Sequence, residues 1–245
     1  MSCPKMNISG FTLIELVIVI VVTGILASLA VRSGFESAED AKLNSTLQEM
    51  ESISKAIAGD PSLYNSGKRT SFGYIGDVGA LPSSLDDLVS APGGYASWNG
   101  PYLTATGTDD HKRDAWGQLY NYNGGVTLMS SGSGTNITKS FGSAVTDFTN
   151  NTVRGTILDA QNIPPGPVYK DSVVITISYP DGAGSINLLS ANPDNSGAYS
   201  FAGLPIGNHT LSAVYVPAND TVTRIVSVTP RSVVTANTKF GVALW

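Results

Sequence analysis

Between Phe11 and Val31 the chain reads FTLIELVIVIVVTGILASLAV, a run of about 21 residues interrupted by one charge, Glu15. At about 1.5 Å per residue a helix of that length reaches roughly 31 Å, one hydrocarbon thickness. Residues Met1 to Gly10 ahead of it are short and polar, with one cation, Lys5. A cation in that place stays on the cytoplasmic side. The run therefore predicts a membrane helix with its N-terminus inside and the bulk of the chain outside.

Glu15 sharpens the reading. A carboxylate in such a helix is expensive, about 2.5–3.5 kcal/mol on insertion scales for the related Asp at the helix centre. Groups of this kind are normally paired. No Lys or Arg stands within one helical turn of Glu15. A cut between Gly10 and Phe11 would create an α-amino group one turn before it, free to pair with Glu15 of the same chain or of a neighbour.

Gly10-Phe11-Thr12-Leu13-Ile14-Glu15 followed by an apolar helix resembles the class III signal of type IV pilins and pseudopilins. The resemblance implies that a prepilin peptidase cuts after Gly10 and that the Phe11 amine is N-methylated. It also implies that Glu15 neutralises that amine on an adjacent subunit during assembly. The partners implied are further copies of the chain in a filament, the peptidase and N-methyltransferase, an inner-membrane assembly platform and minor pilins or pseudopilins. Before assembly the lipid bilayer is a partner too.

Other readings of the segment compete. A Sec signal cut after Ser28-Leu29-Ala30 would release a secreted or surface-displayed module that binds glycan or peptide. Its apolar region would be nearly twice the usual 7–15 residues and would contain a carboxylate. An uncleaved anchor that merely tolerates Glu15 is a second alternative.

After Val31 the pattern turns amphipathic. Leu43, Leu47, Met50, Ile53 and Ile57 recur every three or four residues, and charged residues fill most other positions. Gly59-Asp60-Pro61 supplies the stop. The expectation is one helix over 11–59, roughly 70 Å long, whose second half packs its stripe on a head domain.

That head is expected over 60–150. Gly76 to Pro82 forms a turn-rich loop, and Leu81, Leu85, Leu88 and Val89 a short helical stripe. Leu119 to Tyr122 alternates as a strand, Asn123-Gly124-Gly125 signals a hairpin, and Val126 to Met129 would return. The series G-x-x-P, L-x-x-L, W-N-G-P-Y-L and D-A-W-G-Q-L-Y-N-Y resembles the head of the major pseudopilin of type II secretion, with Ala115 where that family has Pro. The likeness covers about Gly10 to Phe148, some 55–60% of the chain. That family also binds calcium in the following loop. Here Gly134 replaces its first Asp, so Asp147 is the one matching carboxylate. Calcium takes six to eight oxygens, usually with several carboxylates, and one carboxylate with carbonyls would hold it weakly.

From Asn151 to the end, about seven short alternating strands separated by Gly, Pro, Asn and Asp turns predict a β-sandwich. Val173, Ile175, Ile177 and Tyr179 share one face of a strand. Further strands are expected at Val153–Leu158, His209–Val216, Thr221–Val228 and Val233–Val242, with the prolines from Pro164 to Pro167 in a loop. V-R-G-T-I-L-D at Val153 and D-N-S-G-A-Y-S-F-A-G-L-P-I-G at Asp194 resemble carboxypeptidase regulatory-like, transthyretin-like domains, scaffolds without chemistry of their own.

The fold class expected is therefore α+β: a leader over 1–10, a long N-terminal membrane-spanning helix packed on a small antiparallel sheet, then a separate all-β sandwich over 151–245. Charged residues make up 13% of the chain and the net charge is -5, with no Lys/Arg run. A nucleic-acid partner is not expected, because phosphate tracking needs clustered cations. The one cysteine, Cys3, falls in the leader, so no intramolecular disulfide forms. No enzyme motif appears. His111 sits in a charged cluster from Asp109 to Asp114 expected to be a solvated loop, and His209 is expected on a strand at a domain face.

Overall fold

The computed structural model describes residues 12–105, 107 and 109–245. Helix α1 spans Leu13–Ala58. It is followed by β1 (Tyr64–Asn65), β2 (Lys68–Arg69), α2 (Gly73–Val78), β3 (Thr127–Ser130), β4 (Ile137–Ser140) and α3 (Thr146–Thr149). The second half holds β5 (Asn151–Leu158), α4 (Gly166–Tyr169), β6 (Val173–Pro180), β7 (Ile186–Ala191), β8 (Ala198–Leu204), β9 (Gly207–Tyr215), β10 (Asp220–Val228), β11 (Val233–Thr235) and β12 (Thr238–Lys239). The chain divides into two compact units, one ending at Ser45 and one running Thr46–Trp245. The long apolar helix and the mostly β remainder agree with the expected α+β class.

The helix stops where its sequence says it should. Gly59 takes φ +77° and its N–H donates to Lys55 O at 2.7 Å. A side chain there would be strained, and a Cβ would lie 2.2 Å from Ser71 O. The last carbonyls are met by Arg69, whose Nη2 donates to Ala58 O at 2.6 Å while its Nε donates to Ser71 O at 2.7 Å. A cation at a helix C-terminus also suits the dipole.

The last turns of α1 bury Met50, Ile53, Ala56, Ile57 and Ala58 against Phe72, Tyr74, Ile75, Val78, Leu85, Leu88, Tyr120, Leu128 and Phe148. The expected stripe is only partly right. Leu43 and Leu47 remain 36% and 46% exposed, so the apolar stripe runs about two turns beyond what the chain itself buries. The first buried position is instead a polar one, Thr46, whose Oγ1 accepts the N–H of Ala115 at 3.1 Å.

Two further expectations for the head are corrected. The segment from Gly76 was read as loop, but Tyr74, Ile75 and Val78 share a buried face and hold α2 in helix until Gly79 at φ +88°. Leu119 to Tyr122 does alternate, with Tyr120 buried and Tyr122 half-buried. Its pairing, however, is reduced to single bridges from Leu119 to Arg113 and from Asn121 to Met129. The return strand β3 pairs along its length with β4 instead.

The remaining strands make two facing sheets. One is antiparallel in the order β10-β9-β6-β7. In the other, β5 pairs antiparallel with β8 and parallel with both β11 and β12. Between them lie Val153, Ile157, Val173, Ile175, Ile177, Phe201, Leu211, Ala213, Val226 and Phe240. The strand expected over Val233–Val242 is broken. At the break Ala236 O accepts the Tyr199 hydroxyl and Asn237 Oδ1 accepts the N–H of Thr156 at 3.1 Å. The stretch at Pro164 to Pro167 is not all loop, because Gly166 starts the single turn of α4 and Pro167 sits in it next, where a proline N–H is not needed.

Both cores lie within the unit Thr46–Trp245, and backbone hydrogen bonds join them. Ile206 N–H donates to Phe148 O at 2.8 Å, Gly182 N–H to Val78 O at 2.8 Å, and Ser97 N–H to Gly184 O at 2.9 Å. Truncating Ile57 to Ala should lower the unfolding free energy by about 2–5 kcal/mol, read by urea titration of the chain in micelles. Leu43→Ala should change it by less than about 0.5 kcal/mol.

Candidate functional site

The helix that carries the candidate site begins with a reciprocal cap. Thr12 precedes the first helical residue and Glu15 is the third. The Glu15 N–H donates to Thr12 Oγ1 at 3.3 Å, and Glu15 Oε2 accepts from the Thr12 N–H and from its hydroxyl, each at 3.4 Å. This is a capping box, T-x-x-E, and it satisfies helix donors that lipid cannot. The pattern is legible in the sequence Thr12-Leu13-Ile14-Glu15. Gly10 and Phe11, expected as the processing and methylation positions, lie outside the described residues.

Beyond the cap the helix is bare. Leu13, Ile14, Leu16, every aliphatic residue on to Val22, then Ile25, Leu26, Leu29 and Val31 are all exposed. An 18-residue window reaches a mean hydropathy of 2.7 with none of it buried. The two side-chain hydroxyls inside this stretch are turned back on the helix: Thr23 Oγ1 donates to Val19 O and Ser28 Oγ to Ile25 O, each at 2.7 Å. The first ion pair after Glu15 joins Arg32 and Glu36 at 3.0 Å, just past the end of the apolar run. An uncovered surface of this kind marks contact with a membrane or with other chains.

The prokaryotic N-terminal methylation motif matches residues 5–31. Type II secretion system core protein G of Xanthomonas campestris pv. campestris is 32% identical over 114 residues, which is 46% of this chain and 67% of that protein. This chain belongs to the type IV pilin and pseudopilin family. It is thus a membrane-anchored pilin or pseudopilin, in a family of structural filament subunits that are processed at the N-terminus. Among solved structures, the dioxygenase domain of a dioxygenase–carbohydrate-binding protein fusion from Streptomyces sp. SirexAA-E superposes with a TM-score of 0.28 at 13% identity. That superposition covers 39% of this pilin chain and 82% of the other. A streptococcal ancillary pilin gives 0.29 at 14% identity, covering 43% and 39%.

The other residues singled out in the pilin sequence behave differently from one another. Asp147 Oδ2 accepts the N–H groups of Ser143 and Ala144 at 2.8 and 3.2 Å. Among the described residues no three His, Cys, Asp or Glu side chains gather in a metal-holding group. A calcium ion would find Asp147 as its one carboxylate, and such donors do not fit the several carboxylates calcium usually takes. The cluster at His111 is not the solvated loop expected. The His111 side chain is buried, its Nε2 lies 2.9 Å from Asp86 Oδ1, and Lys112 Nζ bridges Asp86 and Asp109 at 2.9 Å each. Asp86 stands 25 residues away in sequence, so periodicity gave no signal for the pairing.

His209 is a strand residue, as expected, but it is 1% exposed. Its Nε2–H donates to Pro205 O at 2.7 Å, which leaves Nδ1 buried without a partner. Burial pushes its pKa below the ordinary 6.5, against a smaller opposite pull from the Pro205 carbonyl. The unfolded chain therefore binds a proton here that the folded chain refuses. Stability should be full above about pH 6.5 and fall as pH drops below it, by at most about 1.4 kcal/mol per pH unit. Thermal unfolding across pH 5–8 checks this, and His209→Gln should remove the slope.

Proposed function

We propose that this chain is a structural subunit of a type II secretion pseudopilus or a type IV pilus-like filament, one that polymerises rather than catalyses. The observation that carries the proposal is Glu15, one carboxylate in the otherwise apolar, uncovered stretch of α1 up to Val31, five positions after a Gly10-Phe11 junction of prepilin type. Lys5 keeps the leader on the cytoplasmic face of the inner membrane. A prepilin peptidase hydrolyses the Gly10–Phe11 bond, and the freed amine is methylated. Drawn out of the bilayer by an assembly platform, the subunit packs its apolar helix among those of its neighbours in a periplasmic or extracellular fibre.

The pairing of Glu15 with the Phe11 amine of an adjacent copy gives that packing its register. Lone charges in a medium of low dielectric are strongly penalised, so a helix slid by one turn leaves two of them unpaired. Among the described residues Thr12 holds the carboxylate, through hydrogen bonds at the long end of the range. The neighbour's ammonium offers a charge-assisted bond in their place. Exposed Leu43 and Leu47 extend the surface available to neighbouring subunits.

Mass spectrometry of the protein from cells should find a mature N-terminus at N-methylated Phe11. A terminus at Val31 would mean Sec cleavage and a secreted module. Glu15→Ala should leave the processed protein in the membrane while sheared filament yield falls about tenfold or more. Wild-type filament yield from that variant would remove the proposed basis of register.

A further inference from the structure

A cleft of about 400 Å³ lies at the seam between α2 and the sandwich, lined among others by Thr70, Phe72, Asp77, Asn99, Tyr102 and Asn208. Its size falls within the range of small-ligand sites. The N–H of Asn99 donates to the Tyr102 hydroxyl at 3.1 Å, and that hydroxyl donates to Asp77 Oδ2 at 2.7 Å. Tyr102 is itself wedged edge-on between Tyr74 and Trp98, so the carboxylate is held in place. Burial pushes the Asp77 carboxyl above its ordinary range, with the Tyr102 hydroxyl pulling the other way. Among the described residues the side-chain amides of Asn99 and Asn208 make no hydrogen bond. Asn99 comes from the head, whereas Asn208 comes from β9 of the sandwich, so the site needs both.

We propose that this cleft binds a neutral polyhydroxylated ligand, a saccharide unit, through the Asp77 carboxylate and the flanking amides of Asn99 and Asn208. The donor and acceptor inventory decides the class. Each amide offers both donors and acceptors, as a hydroxyl does, and a carboxylate accepts from vicinal hydroxyls at once. An ammonium only donates, so it would use the carboxylate and the amide oxygens and leave the amide N–H groups without acceptors. An anion would meet a carboxylate with no lining Lys or Arg to hold it. A divalent cation would find one carboxylate. Phe72 and Tyr102 add an apolar side for the C–H face of a sugar ring. The site shares no residue with the N-terminal helix, so it stands or falls apart from the filament reading.

The test is saturation-transfer NMR and calorimetry on the full chain in a zwitterionic, sugar-free detergent. Neutral mono- and disaccharides are the probes, with glucuronate and lysine methyl ester as charged controls. At least one neutral sugar should bind. Asp77→Ala and Asn208→Ala should each weaken it about tenfold or more, while Asn187→Ala on β7, outside the cleft, leaves it unchanged. Asn208 is exposed, so its variant keeps the unfolding temperature and decides the matter even if Asp77→Ala fails to fold. No neutral sugar bound at roughly 10 mM, binding that survives Asn208→Ala, or preference for either charged control overturns the proposal.

Discussion

The uncovered apolar surface of α1 between Leu13 and Val31 is the constraint from which the behaviour of this chain follows. Water cannot be its solvent, since each Å² of such surface costs roughly 25 cal/mol there. Lipid tails and the flanks of other helices are both acceptable, and they are nearly equal, because hydrocarbon is as apolar as Leu. Hydrophobicity therefore removes the helix from water without choosing between bilayer and bundle. The choice must come from packing and from polar groups. Thr23 and Ser28 bond back to their own helix and so express no preference. Glu15 is the polar group left to discriminate between the two surroundings.

The capping box gives Glu15 a second role. In lipid the first turn of a helix leaves N–H groups that nothing outside can satisfy. The Thr12–Glu15 pair meets part of that need within the chain. An acid tethered in this way can wait in the membrane at reduced cost and still exchange its weak partner for a charged one. A Gln at that position would keep much of the cap and lose the charge, which separates the two roles chemically.

How far the sequence foretold the structure depended on how local the cause was. The apolar run, the Gly59 stop and the inward face of Val173, Ile175 and Ile177 all have causes within a few residues, and all are seen. Leu43 and Leu47 continue the right periodicity but remain exposed, because burial depends on whether a partner surface reaches them. α2 was missed since its glycines read as turn signals, whereas Tyr74, Ile75 and Val78 had a core to fill. The break between β11 and β12 follows from Tyr199 and Thr156, distant groups that bond at Ala236 and Asn237. For the same reason Glu15 was visible from its charge alone, while the cleft at Asp77 was not. Its residues come from three separate stretches of chain, brought together only by folding.

The seam that builds the cleft is set by backbone contact rather than by side chains. At Gly79 an added Cβ would lie 2.1 Å from Pro180 O, and at Gly184 it would lie 2.4 Å from the Cα of Tyr95. Any larger residue at either place would push the head and the sandwich apart. Side-chain contacts between modules can adjust by changing rotamer, but two backbones in contact have no such freedom. With Ile206 of the sandwich counted in the first core, the parts from Thr46 onward form one compact unit. Asn208 of the sandwich and Asn99 of the head both line the cleft at that seam.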